Sequence, residues 1–376
     1  MKLTIAREAL LGALEPAARI IDRKPLRPIL SHVRLTAEGE ALAICGTDQD
    51  IEIRTAAAAT IAEAGDIALP AATLHDLARR LPSDEITLTL GDDRRMQVTA
   101  GRSRSKLPTM PAVDYPVIVP EGLEHGFSLP AEDLAQMLRE TLHAASSDNT
   151  RPFICGVYLH VAETPEGQRL AAVTTNGSSI VARRLLDLPE KAAGIPGITI
   201  PTKTAGELLK LCDKAKDEVT LSLSATKLRA IRGGVTLTSV LINSDFPPYE
   251  RIIPWENERT AIVDTEALQA AVERISIMAD AHDNVAHLDF SDGTLALFRI
   301  SPSAGEMREE ISCEFEGETF STAFDYRLLA RVVANLPGDT VLFRMSSKRD
   351  GNILTPREGS PSMALLGRMN VARPAA

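Results

Sequence analysis

The sequence lacks the features that mark membrane proteins and disulfide-bonded proteins. No run of eighteen apolar residues occurs in the 376-residue chain, and charged Arg7 and Glu8 interrupt the apolar stretch near its beginning. The four cysteines lie far apart without a CxxC pair, so neither a disulfide framework nor a zinc site is predicted. These absences predict a cytoplasmic protein that binds no cofactor and no membrane.

The common catalytic signatures are absent as well. The chain contains no G-x-x-x-x-G-K-[ST], G-x-G-x-x-G, H-E-x-x-H or G-x-S-x-G motif, which excludes the commonest phosphate, dinucleotide, zinc and serine-nucleophile sites. The pair Ser178-Ser179 has no base close in the sequence, and the spacing of Asp280, His282 and Asp283 is more typical of a polar loop than of a metal site. We therefore predict a non-catalytic protein with no catalytic residue and no bound metal.

The charge balance is acidic, with 51 Asp and Glu against 41 Lys and Arg and a formal net charge of -10. This balance disfavours indiscriminate nucleic-acid binding but leaves room for a local basic surface. The stretch GRSRSKLP at residues 101–108 is such a surface, and the predicted helices carry as many cations as anions. The negative charge therefore lies outside the helices.

A repeat organises the chain. Similar strand-to-helix openings occur at residues 3–10, 127–134 and 261–268, and a second set begins near residues 67, 198 and 320. The pattern predicts an α+β protein of three repeated domains, each with two helices packed on β-sheets. Breaks near VPEGLEHG and PWENERT place the domains at 1–124, 125–256 and 257–376, the third with a short C-terminal extension.

The repeat, together with MKLTIAREALL, GRSRSKLPTMPAVDYP and TSVLINSDFPPYERIIP, resembles the bacterial sliding clamp, the DNA polymerase III beta subunit, over nearly the whole chain. The resemblance implies the DNA clamp fold and a head-to-tail homodimeric ring whose helices surround duplex DNA without sequence specificity. It also implies that the ring tethers a DNA polymerase and raises its processivity. The replicative polymerase, clamp loader and repair proteins would bind through short linear motifs.

The resemblance assigns eight residues to the subunit interface, where an edge strand of the first domain meets an edge strand of the third. In this sequence a serine, Ser105, follows the basic turn where the family has an aromatic residue. The alternative for the arginines is a solvated hairpin. The predicted interface residues are Arg95, Arg102, Arg104, Ser105, Ile277, Met278, Glu306 and Glu310.

For DNA contacts, Lys24 and Lys203 match family positions, and Arg79 and Lys210 are predicted to face the hole beside them. Phe153 is a further DNA candidate, with packing as the alternative. Thr202 and Asp148 replace an arginine and a glutamine of the family. Weak, salt-sensitive contacts are expected.

A partner-peptide pocket is also implied by the resemblance, although several of its residues could be core residues instead. Ser178-Ser179 and Gly367-Arg368 stand where the family commonly has His-Arg and Met-Pro, which suggests a divergent clamp with altered partner preference. The alternative function is a clamp-fold paralogue that binds or sequesters partners with a weak or absent ring. The predicted pocket residues are Arg151, Ile154, Thr175, Gly177, Ser178, Ser179, Ile180, Pro247, Arg251, Ile252, Leu365, Met369 and Val371.

Overall fold

The computed structural model describes residues 1–278, 284–301, 304–347 and 351–371, which contain six α-helices. Asp280, His282 and Asp283, the possible metal ligands of the segment DAHDN, lie outside these residues. Within the described part of the chain, no helix has the length and apolar composition needed to cross a membrane. The helices are α1 (Arg7–Arg19), α2 (Ala71–Arg80), α3 (Ala131–Thr141), α4 (Thr202–Cys212), α5 (Thr265–Ser276) and α6 (Tyr326–Asn335).

Most of the remaining described chain is β-structure, arranged in three sheets. The strands are β1 (Lys2–Ala6), β2 (His32–Glu38), β3 (Ala41–Thr47), β4 (Ile51–Ala58), β5 (Thr60–Glu63), β6 (Gly65–Pro70), β7 (Glu85–Leu90), β8 (Arg95–Ala100), β9 (Ser103–Pro108), β10 (Met110–Pro111), β11 (His125–Pro130), β12 (Gly156–Thr164), β13 (Gly167–Thr175), β14 (Ile180–Asp187), β15 (Ile198–Pro201), β16 (Glu218–Leu223), β17 (Lys227–Arg232), β18 (Val235–Val240), β19 (Arg259–Asp264), β20 (Val285–Ser291), β21 (Thr294–Ser301), β22 (Gly305–Glu314), β23 (Phe320–Asp325), β24 (Thr340–Met345), β25 (Gly351–Thr355) and β26 (Ser362–Gly367).

All six helices directly follow a strand, which confirms the repeated strand-to-helix openings. The strands that lead into them are β1, β6, β11, β15, β19 and β23. Proline occupies the N-cap position of α2, α3 and α4, where its fixed φ suits the turn into a helix. Aspartate caps the two helices of the last third, where Asp264 Oδ1 accepts from Ala267 N at 2.8 Å and Asp325 Oδ1 from Arg327 N at 2.9 Å. The α+β class and two helices in each third of the chain are therefore confirmed.

One compact unit comprises residues 1–128 and 217–241. It holds a five-stranded sheet in the order β5-β1-β7-β8-β9 and a nine-stranded sheet in the order β10-β6-β2-β3-β4-β18-β17-β16-β11. Leu10 and Leu14 of α1 and Leu74 of α2 are fully buried in its core, because the apolar residues of both helices recur at helical spacing. Pairing of β4 with β18 joins strands from the first and second predicted domains into one sheet.

The other compact unit comprises residues 129–216 and 242–376. A twelve-stranded sheet runs through it in the order β15-β12-β13-β14-β26-β25-β24-β19-β22-β21-β20-β23. Antiparallel pairing of β14 with β26 sets Val181 opposite Leu365 and joins strands of the second and third predicted domains. Phe290, Phe324 and Phe343 are fully buried in the core beneath α5 and α6. The bounds of the three domains remain a prediction, since sheets cross both predicted borders.

Candidate functional site

A cavity of about 720 Å³ lies beside the hairpin that connects β13 to β14. Eleven of the thirteen predicted pocket residues line it: Arg151, Ile154, Thr175, Gly177, Ser178, Ser179, Ile180, Pro247, Arg251, Ile252 and Leu365. Seven further residues complete the lining: Phe153, Val181, Pro248, Tyr249, Pro254, Gly351 and Gly367. Phe153, predicted at the DNA surface, is thus placed in the wall of this cavity. Three of the seven, Pro248, Tyr249 and Pro254, belong to the segment FPPYERIIP. This segment was already recognised in the sequence, so these three residues could have been predicted from it.

Met369 and Val371 are the two predicted pocket residues that the structure places elsewhere. Strand β26 ends at Gly367, whose amide donates to the Ser179 carbonyl at 2.7 Å. Two residues later the Met369 amide donates to the Ala323 carbonyl on β23, also at 2.7 Å. This bond turns the chain away from the hairpin, so Met369 and Val371 line a separate cavity of about 270 Å³.

The hairpin at the cavity mouth is fixed by side-chain hydrogen bonds. The Asn176 Oδ1 atom accepts from the amides of Ser178 at 3.0 Å and Ser179 at 2.9 Å, and the Thr175 hydroxyl donates to the Ile180 carbonyl at 2.7 Å. Gly177 has a φ of +79°, in the left-handed region that favours glycine. The side chain of Asn176 thus supports the turn, and Gly177 supplies its positive φ.

Close packing at Gly177 explains why the site needs a residue without a side chain there. A Cβ atom at this position would lie 2.9 Å from Ile154 Cδ1 and 3.0 Å from Arg151 Nη1. Arg151 is itself held by Asp148, with 2.9 Å between Nε and Oδ2. Hydrogen bonds from Thr150 and Arg151 lower the pKa of the Asp148 carboxyl, so that carboxyl stays ionised beside the guanidinium. The hairpin, Ile154 and Arg151 thereby form one wall.

The cavity combines apolar walls with cations at its mouth. Ile252 is 58% exposed although it is apolar, and Arg251 beside it is also exposed. Leu365 on β26 and Ile180 on β14 are buried beneath the opening. Such a surface can bind an apolar side chain inside and hydrogen-bond the polar or acidic groups of the same ligand at the rim.

The predicted interface arginines lie on a sheet edge. Strand β9 is the last strand of the five-stranded sheet, and Arg104 on it and Arg102 in the preceding turn are exposed. Arg95 is exposed on the neighbouring β8, where it lies opposite Pro108. Ser105 is half-buried because it points to the opposite face from Arg104. An exposed strand edge of this kind can pair with a strand of another chain.

The predicted acidic partners lie on β22. This strand pairs with β21 from Gly305 to Ser312 and with β19 only through Cys313 and Glu314, so no described strand covers the other edge of residues 305–312. Glu306 and Glu310 are exposed there, and Arg308 between them approaches Glu310 with 3.2 Å between Nε and Oε1. Arg308 therefore offsets part of the edge's negative charge.

The two apolar interface candidates lie together at the end of α5. Ile277 is its C-cap residue and is 72% exposed, whereas Met278 is half-buried. An exposed isoleucine is normal on its own, but this one directly follows a helix that buries its large apolar residues Leu268, Val272 and Ile275. The pair can therefore supply apolar contact to a neighbouring molecule.

The predicted DNA-binding cations are all exposed. Lys24 lies in the loop after α1, Arg79 in the last turn of α2, Lys203 in the first turn of α4 and Lys210 near the end of α4. The Lys210 ammonium pairs with buried Glu207 at 2.9 Å, which compensates part of its charge. Lys24 is thus a better candidate for phosphate contact than Lys210. Within the described ranges, no three His, Cys, Asp or Glu side chains cluster closely enough to hold a metal ion.

Family comparison covers nearly the whole chain. Models of the N-terminal, central and C-terminal domains of the DNA polymerase III beta subunit match residues 1–119, 128–248 and 250–365. The beta sliding clamp of Caulobacter vibrioides (strain NA1000 / CB15N) is 35% identical over 348 residues, which cover 92% of this chain and 93% of that protein. The beta sliding clamp of Pseudomonas aeruginosa is 29% identical over 363 residues, covering 96% and 98%.

Solved structures agree with the sequence comparison. A DnaN sliding clamp from Bartonella birtlesii, crystallised with griselimycin, superposes with a TM-score of 0.94 at 29% identity, covering 99% of this chain and 100% of that one. A DNA polymerase sliding clamp from Caulobacter crescentus gives a TM-score of 0.92 at 33% identity with the same coverage. The similarity therefore extends over all three repeats.

Proposed function

The chain belongs to the family of the DNA polymerase III beta subunit, the sliding clamp of DNA replication, and from that membership we propose how its surfaces perform the clamp function. Two copies form a head-to-tail ring around duplex DNA, and the cavity beside the β13–β14 hairpin captures short linear motifs of the polymerase, the clamp loader and repair proteins. The observation that supports this most is the assembly of eleven separated pocket residues around one cavity.

The remaining parts of the proposal follow from the same family. The protein carries out no chemical step itself and acts in the cytoplasm as a tether. Its three domains comprise residues 1–124, 125–256 and 257–376.

Primer extension tests the clamp function directly. A polymerase III core with its clamp loader should make much longer products on singly primed circular DNA when this protein is present. Replacing Pro247 and Ile252 by aspartate should abolish the gain, because both side chains line the cavity that would hold the polymerase. Product lengths that do not respond to the protein would contradict the proposal.

Lys24 and Lys203 are expected to contact the DNA backbone. The variant Lys24→Glu with Lys203→Glu should be retained more weakly on circular duplex, and the slope of log K against log salt should fall by about one unit for each phosphate group that the protein no longer neutralises. Filter binding across a salt series measures that slope. Lys2→Glu with Lys191→Glu, which changes the charge equally at exposed sites outside the helices, should leave it unchanged. An unchanged slope in the first variant would contradict the DNA assignment.

We also propose that the cavity prefers partner motifs different from those of typical relatives. The small side chains of Ser178 and Ser179 leave the mouth open on the hairpin side, and Gly367 lies directly against Ser179, with 3.4 Å between the site of its absent Cβ and Ser179 Cα. A peptide of the glutamine-leucine-phenylalanine type should therefore bind weakly, because the bulk and the donors that a His-Arg pair supplies are missing.

The double variant Ser178→His, Ser179→Arg tests this preference. It should bind the glutamine-leucine-phenylalanine peptide about ten- to a hundredfold more tightly than the parent, because one regained contact contributes about 1–3 kcal/mol. The backbone should tolerate the change, since Asn176 holds both amides whatever the side chains are. Calorimetric titration of both proteins provides the comparison, and equal, tight binding by the two would exclude altered preference.

A ring-independent partner-binding role is the second candidate function. The specific observation in its favour is the ion pair between Arg308 and Glu310, which reduces the charge available to a facing arginine. In that case the cavity would bind motifs while the protein remained a monomer. Analytical ultracentrifugation across a dilution series distinguishes the two functions.

A further inference from the structure

The chain's only tryptophan lies at the rim of the cavity. Trp255 is 53% exposed and follows Pro254, which lines the cavity. The turn that presents it is anchored by Asn257, whose Nδ2 donates to the carbonyls of Arg344 and Gly351, both at 3.0 Å. A large aromatic side chain is thus held in solvent on a fixed turn. Exposed tryptophans of this kind are characteristic of binding surfaces.

One face of the Trp255 indole is already occupied. The Arg183 guanidinium on β14 lies 5.1 Å from the centre of the indole ring, at a distance suited to a cation–π contact. The hydroxyl of Tyr249, which lines the cavity, and the carboxylate of Glu250 both lie close enough to act on the charge of this guanidinium. Arg183 is mostly enclosed, and its Nε has no hydrogen-bond partner among the described residues.

These contacts make the indole continuous with the cavity by two routes. Pro254 connects them along the chain, and Tyr249 with Arg183 connects them through side chains. The Tyr249 hydroxyl is held in turn by His160 Nε2 at 3.1 Å, and the Tyr158 ring stacks on His160 with 4.5 Å between ring centres. The surface under Trp255 is therefore a packed extension of the cavity floor.

We propose that Trp255 forms an auxiliary subsite for partner peptides, which takes an aromatic side chain from the segment beside the motif held in the cavity. This inference rests on the proposed function, in which the cavity captures such motifs. The free face of the indole can stack with a second ring, since aromatic pairs prefer offset or edge contacts. A lysine or arginine would be repelled, because Arg183 already places a cation on the same ring and Arg251 lies at the cavity mouth. The subsite thus selects aromatic flanks and rejects basic ones.

A peptide series tests the subsite. The core peptide is of the glutamine-leucine-phenylalanine type, and it is extended at either its N- or its C-terminus by Ser-X-Ser, with Tyr, Ala or Lys at X. At one of the two ends, the Tyr peptide should bind about tenfold more tightly than the Ala peptide, and the Lys peptide more weakly than both. Because Trp255 is the only tryptophan, its emission should shift with the Tyr peptide and not with the core.

Variants of Trp255 separate the subsite from the cavity. Trp255→Ala should remove the difference among Tyr, Ala and Lys flanks while the core peptide binds as before, and Trp255→Phe should restore part of it. Tyr and Ala flanks of equal affinity at both ends, or an advantage of Tyr that persists in Trp255→Ala, would overturn the subsite alone. Failure of the core peptide to bind both the parent protein and the Ser178→His, Ser179→Arg variant would overturn the proposed pocket function and the subsite together.

Discussion

Replacing Arg102 and Arg104 by glutamate should convert the protein from a dimer into a monomer at concentrations where the parent is a ring. Both arginines are exposed at the free edge of the five-stranded sheet, and the proposed facing strand carries Glu306 and Glu310. Close charge pairs at protein interfaces couple by about 1.5 kcal/mol or more, so reversing two of them should weaken each interface at least a hundredfold. A closed ring contains two such interfaces, so the loss of binding free energy occurs twice in each ring.

Sedimentation or mass photometry over a dilution series measures the change. A matched control, Arg27→Glu with Arg80→Glu, alters the net charge equally at exposed positions away from β9 and should leave the dimer intact. Adding Glu306→Arg and Glu310→Arg to the first variant should restore the dimer, because the charges are then exchanged rather than removed. A dimer in the first variant that matches the parent at every dilution would contradict the assigned interface.

The parent ring should itself be weaker than typical rings of the family. The resemblance to the family implies an aromatic residue at the position of Ser105, and a missing buried aromatic side chain costs about 3–5 kcal/mol where the gap is not refilled. The pairing of Arg308 with Glu310 acts in the same direction. Ser105→Phe should therefore lower the dimer dissociation constant, and a parent dimer that persists at low nanomolar concentration in high salt would exclude a weakened ring.

The six helices could be predicted from the sequence because each follows its strand directly and keeps its apolar residues on one side. Strand pairing was harder, because β4 with β18 and β14 with β26 join segments that are more than 170 residues apart. Periodicity carries no information on which distant strands meet.

The candidate site shows the same division between local and long-range information. The assignment of Gly177 and the apolar wall residues to the pocket followed from the resemblance to the family, whereas the placement of Met369 depended on one backbone hydrogen bond to β23. Trp255 was not identified, since its neighbour Arg183 lies on a different strand and nothing in either local segment indicates their contact. The parts of the site that depend on contacts between segments distant in sequence could therefore not be predicted from local sequence patterns.

Arg299 is another feature that local patterns did not reveal. It lies on β21 with a fully buried side chain, although long charged side chains are almost never fully buried unless their polar atoms are bonded. Its Nε donates to the Met278 carbonyl at 3.0 Å and its Nη1 to the Val285 carbonyl at 2.8 Å, while the Tyr326 ring centre lies 5.1 Å from the guanidinium. The side chain thus joins the end of α5 to the beginning of β20, and a cation there also complements the negative end of the helix dipole.

Replacing Arg299 by methionine should therefore destabilise the protein strongly. Methionine matches much of the side-chain volume but leaves the buried Val285 carbonyl and the partly buried Met278 carbonyl without these donors, and each such loss costs about 1–3 kcal/mol. A combined loss of about 3 kcal/mol corresponds to a fall of roughly 6–12 °C in the midpoint of thermal unfolding for a unit of this size. Calorimetry measures the midpoint. Arg327→Met, at an arginine that is 55% exposed, should change it by less than about 2 °C. If Arg299→Met also changed the midpoint of thermal unfolding by less than about 2 °C, the two hydrogen bonds from Arg299 to backbone carbonyls would contribute nothing to stability. The end of α5 would then be held by its apolar contacts alone.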